Sequence, residues 1–197
     1  VAGPTRILIA GIGNIFFGDD AFGCEVAQRL AGKEWPEGIE LRDFGIRGID
    51  LAYALLEPRD FVILVDAMPR GGTPGTLYLL EPDIPEPGDP AAEGESLWNA
   101  HTMHPEKVLR LAQSLGADLK RILLIGCEPA PFDPENDICT GLSGPVEATV
   151  SAAARITEMI VRQLAEGNQS VLDEWDQVLL DSKIAGAPAI RLEEETS

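Results

Sequence analysis

The sequence predicts an α/β protein: a three-layer α/β/α sandwich around a mixed, mostly parallel five-stranded sheet. Three observations carry that prediction. Apolar runs alternate with amphipathic stretches along most of the chain. Three of the runs are almost continuously apolar, as strands covered on both faces must be. One connection, Met68 through Gly75, is too short for the crossover that a parallel neighbour needs, so the fourth strand should run antiparallel to the third.

The elements follow in order. Strands are expected at residues 6–11, 39–44, 61–67, 76–80 and 121–127, and helices at 21–31, 49–56, 105–115 and 145–165. The last helix has Pro145 in its first turn and Glu147 three positions after Gly144. Its apolar stripe runs through Val146, Val150, Ala153, Ile156, Ile160 and Leu164. A proline-rich acidic stretch, 81–96, interrupts the alternation and reads as an extended loop. Residues 1–167 are expected to form one catalytic domain, and 168–197 an amphipathic helix containing Trp175 and Val178 followed by an acidic tail.

Composition narrows the partners. Fifteen Lys and Arg against thirty-three Asp and Glu give a formal charge of −18, a field that repels nucleic acid and anionic membrane. Three cysteines without a C-x-x-C spacing indicate neither a disulfide framework nor a zinc knuckle. No secretory n-region and h-region and no membrane-length apolar run occur, so the expected location is the cytoplasm, without membrane insertion.

Ligands of open α/β sheets gather beyond the carboxyl ends of the parallel strands. There the chain places Asn14, Asp19 and Asp20 after the first strand and Asp43 and Gly45 after the second. Asp66 closes the third, and Glu128 and Pro129 follow the fifth. Asp66 is the sharpest candidate, because a carboxylate ending an apolar run is costly to bury unpaired. Of the two histidines, His104 suits the cap of the helix opened by Pro105, whereas His101 has no such duty. Two carboxylates and an imidazole would make an O,O,N set for a first-row divalent metal. The glycines Gly11 and Gly13 also permit a nucleotide-binding loop with Asp43 as ribose acceptor, but Phe16 stands where a third glycine belongs.

Taken together, ILIAGIGNIFFGDDAFG, RDFGIRGIDL, FVILVDAMPRGGTPGTL, AHTMHPEKVLRLAQSLG and LLIGCEPAPF…TGLSGPVEATV resemble the hydrogenase maturation proteases, in order from about Arg6 to Leu164. The resemblance implies the phosphorylase/hydrolase-like version of the sandwich. It also implies an endopeptidase that removes the C-terminal extension of a nickel-iron hydrogenase large-subunit precursor after nickel insertion. The family's acidic metal-binding position in the first loop falls on Asp20, its strand-three ligand on Asp66 and its histidine ligand on His101; these three are the implied catalytic and metal-binding residues. Nickel would be supplied by the substrate, and the isolated protein would hold an adventitious divalent metal or none. The partner would be the precursor, with the protease a monomer or homodimer. A non-catalytic metal-dependent maturation chaperone would use the same ligands. Phe44 departs from the family, where many members carry a second glycine; His104 is an extra imidazole, and the tail from Asn168 is longer than the family core.

Overall fold

The computed structural model describes residues 3–82, 105–131, 140–172 and 190–192. Strand periodicity divides the core in two. Along β1 (Ile7–Ile12), Ile7 and Ile9 face one layer while Leu8, Ala10 and Ile12 face the other. β3 (Phe61–Ala67) sends Ile63 and Val65 one way and Val62 and Leu64 the other. β5 (Ile122–Cys127) divides in the same manner. All six residues of β1 are buried, which explains why the run is apolar without alternation.

Helices cover each face. α1 (Phe22–Leu30) buries Phe22, Val26 and Leu30 beside α4 (Gly144–Ala165), whose Val150, Ile156 and Ile160 complete that layer. On the opposite face, α2 (Gly48–Ala54) and α3 (Pro105–Ser114) contribute Leu51, Leu109 and Ala112. Each such side chain taken fully out of water stabilises the fold by about 1.5–3 kcal/mol before entropy is counted.

The sheet order is β2-β1-β3-β5-β4-β6, where β2 is Ile39–Gly45, β4 is Leu77–Leu80 and β6 is Ile190–Leu192. β1, β2, β3 and β5 are mutually parallel. The predicted sandwich and its five strands are present, and β6 extends the edge, pairing parallel with β4. The short fourth strand does run opposite to β3, but it does not pair with it. β5 lies between them, and β4 is antiparallel to β5, with Tyr78 opposite Gly126. The brief Met68–Gly75 connection therefore sets direction without setting adjacency. Of the predicted C-terminal helix, a 3-10 turn forms at Gln169–Leu172, and Trp175 and Val178 lie outside the described residues.

Register brings the strand ends level. Gly11 of β1 stands between Asp43 of β2 and Val65 of β3, and Asp66 stands opposite Gly126 of β5. Chain direction reverses here: α1 crosses on one face toward β2, and α2 returns on the other toward β3. That reversal opens a crevice at the carboxyl edge between β1 and β3. Gly23 lets α1 approach this edge, since a Cβ there would lie 2.1 Å from the Val65 carbonyl oxygen and 2.2 Å from that of Ile12. No helix among the described residues is long and apolar enough to cross a membrane.

Candidate active site

The loop after β1 is closed on itself. The Asn14 N–H donates to Asp20 Oδ2 at 2.9 Å, and the Asp20 carbonyl lies 3.2 Å from the same nitrogen. The Phe16 and Phe17 N–H groups donate back to Asn14, at Oδ1 and the carbonyl oxygen. Gly13 has φ +140°, and a Cβ on it would meet the Asp20 carbonyl oxygen at 1.8 Å. These bonds hold the exposed Asp20 carboxylate at the crevice mouth. They also use the N–H groups that a phosphate-binding loop would present to its ligand, which weighs against the nucleotide reading.

Asp66 is 7% exposed at the end of β3, and its Oδ1 accepts the Ala67 N–H at 2.8 Å. Burial, reinforced by the negative charge of Asp20, pushes its carboxyl well above the usual carboxylate range. The Ala67 N–H opposes this shift without cancelling it. Asp43, exposed at the end of β2, accepts the Gly45 N–H at Oδ1 (2.9 Å). The base of the crevice is the buried Cys24 thiol, 3.5 Å from the Gly13 carbonyl oxygen. Burial, then Asp43 through its charge and a hydrogen bond, then Asp66 and Asp20, push that thiol up to about 12. The charges of three carboxylates from separate segments thus all reach the Cys24 thiol.

Two further acids fasten the walls of this site. Asp19 is buried: its Oδ1 accepts the Ser143 N–H (2.6 Å), and its Oδ2 accepts the Ser143 hydroxyl and the Ala130 N–H, both at 2.8 Å. It ties the β1 loop to the start of α4 and to the segment after β5. Glu128, also buried, accepts the Tyr78 hydroxyl (2.6 Å) and the N–H groups of Arg70 and Gly71. Burial raises the Glu128 carboxyl, but the Tyr78 hydroxyl and the Arg70, Gly72 and Gly71 N–H groups outweigh it and hold the group below the usual range. The sign follows: this stability is present above the unfolded carboxylate pKa and is lost as pH falls through the lower folded value. Glu128→Gln keeps the shape and removes the charge. It is expected to lower neutral-pH stability by about 1–2 kcal/mol and to flatten the acid limb of a Tm-against-pH curve.

Between these walls lies a cleft of about 970 Å³, bordered by Phe17, Asp20, Ala67, Gly71, Pro129 and Leu142 among others. Asp20 therefore sits on both the carboxylate crevice and the cleft. His101, the predicted third ligand, and His104 lie outside the described residues. Among the described residues no three His, Cys, Asp or Glu side chains are grouped closely enough to hold a metal by themselves. What the described part provides is the buried Asp66 carboxyl within reach of the charge of Asp20, which itself borders the cleft.

Comparison with known proteins follows the same outline. A family model described as hydrogenase maturation protease matches residues 24–162. The hydrogenase expression/formation protein HupD of Rhodobacter capsulatus is 31% identical over 154 residues, covering 77% of this chain and 71% of that protein. The hydrogenase maturating endopeptidase HybD from Escherichia coli superposes with a TM-score of 0.61 at 25% identity, over 81% of this chain and 93% of that one. The NiFe hydrogenase maturation protease HycI from Thermococcus kodakarensis KOD1 gives a TM-score of 0.53 at 28% identity, over 82% and 93% of the two chains.

Proposed function

The chain belongs to the hydrogenase maturation protease family, and on that premise we propose that it removes the C-terminal extension of a nickel-iron hydrogenase large-subunit precursor once nickel has been inserted. The observation that carries this reading is the buried Asp66 carboxylate under the charge of Asp20, which itself borders the cleft of about 970 Å³.

The donor chemistry fits a cation. Ionising the buried Asp66 near the charge of Asp20 is unfavourable, and a divalent ion held by the two carboxylates would offset both the burial and the repulsion. In this proposal Asp20, Asp66 and His101 complete the coordination of the nickel that the substrate carries. That nickel supplies positive charge and anchors the precursor beside the cleft. The remaining steps belong to the chain. The closed β1 loop fixes the Asp20 carboxylate in place. Glu128 and Asp19 keep the two cleft walls at a set spacing to receive the extension. Because the ligand set is incomplete until the substrate arrives, affinity depends on nickel loading, and an unloaded precursor binds poorly. The proposed location is the cytoplasm, where the precursor would meet it.

Intact-mass spectrometry of a nickel-loaded precursor incubated with the protein, beside a nickel-free control, tests the proposal. Loss of a C-terminal peptide from the loaded sample alone is the expected result. Binding of the loaded precursor without any cut would instead identify a maturation chaperone. Asp20→Asn separates recognition from catalysis: retained binding with lost cleavage makes Asp20 the group that activates water.

A further inference from the structure

The exposed large apolar side chains are not scattered. Of the eight among the described residues, seven fall in two segments, 15–17 and 46–56. The two segments are stitched together by the Gly13 N–H, which donates to the Gly45 carbonyl oxygen at 3.1 Å. In the first, Phe16 is 62% exposed on a loop whose backbone is fixed by the Asn14 and Asp20 bonds. In the second, Ile49 and Tyr53, at i and i+4, share the outer face of α2, with Ile46 just before the helix and Leu56 just after it. The inner face of the same helix already buries Leu51, Ala52 and Ala54. A helix apolar on both faces has one face left to cover.

We propose that this rim, from Phe16 across Ile46 to Tyr53, is the docking surface for the folded body of the precursor, distinct from the cleft that takes its extension. The proposal rests on the reading of the chain as a protease of that precursor. Continuity selects this occupant: Phe17, next to Phe16 in the same loop, is itself a wall of the cleft, so a protein whose tail lies in the cleft comes to rest on the rim. Rigidity supports it as well. The Arg47 guanidinium is bonded to the carbonyl oxygens of Asp43 and Phe44, and the β1 loop is closed, so the surface is ordered before contact and loses little freedom on binding. Charge disfavours a second copy, since a homodimer would bring together two chains of −18 each.

The test compares wild type with Phe16→Ser/Tyr53→Ser on nickel-loaded precursor. Both side chains are exposed, so the variant should keep the wild-type Tm. The expected result is a KM raised about tenfold or more with kcat within about twofold, and a matching loss of affinity for the precursor. Wild type that cleaves, with a variant of unchanged KM, overturns the docking surface and leaves the protease intact. Wild type that neither binds nor cleaves overturns the function, and the surface with it. A wild-type dimer in sedimentation that becomes monomeric in the variant assigns the rim to a second copy and also overturns the proposal.

Discussion

Asp66→Asn is expected to reduce cleavage of the nickel-loaded precursor by about 10²–10⁴-fold while making the protein harder to melt. The two effects share one cause. Asp66 is buried beside the charge of Asp20, and its carboxyl is held well above the usual range. A carboxyl raised in this way contributes stability below the unfolded pKa and loses it as pH rises through the folded value. At neutral pH the folded protein carries that cost. An asparagine there keeps an oxygen for the Ala67 N–H and has no charge to bury. Each kcal/mol recovered should raise Tm by about 2–4 °C. Thermal melts of both proteins across pH should diverge as pH rises and converge toward acid. Parallel curves would mean that Asp66 is compensated by a partner in the folded protein.

The neighbouring acids should part company just as clearly. Asp19→Ala is expected to destabilise the fold by about 3 kcal/mol, roughly 6–12 °C in Tm, because three donors lose a buried acceptor. Asp20→Asn should leave Tm nearly unchanged and abolish cleavage, its carboxylate being exposed. Denaturant titration together with the mass assay separates the two. Equal loss of stability in both variants would show that the loop, and not Asp20 itself, is what the reaction needs.

The difference between Asp19 and Asp20 also marks the limit of what the sequence discloses. The strand-end rule marks Asn14, Asp19 and Asp20 alike and singles out Asp66, because an acid closing an apolar run stands out; only the family resemblance sets Asp20 apart from Asp19. Asp19 looks the same as its neighbour in one dimension. Its partners, Ala130 and Ser143, are 111 and 124 residues away, and nothing local points to them. Glu128 could be placed at a strand end, but its role in bonding the 70–72 turn depends on β4 bringing Tyr78 alongside. That pairing was hidden because a short connection constrains direction and leaves the choice of neighbour to packing. Gly11 and Gly13 read as a turn in the sequence, but the carbonyl oxygens standing where a Cβ on Gly13 or on Gly23 of α1 would go needed coordinates.

The insertion of β5 between β3 and β4 has a bearing on how the molecule comes into being. As the chain emerges from the ribosome, β1, β2 and β3 can assemble early, since each finds its neighbour within the first third of the sequence. β4 follows at once but has nothing to bond to. Its partners are β5, some forty residues later, and β6 near the far end. Until β5 arrives, the edge of β3 and the buried run Leu77–Leu80 are both unpaired. That interval is when a nascent chain is most open to misassociation, and its pairings span long loops that close slowly. Synthesis past Cys127 is therefore the step that commits the sheet, and a stall before it should leave a chain that chaperones hold and proteases find.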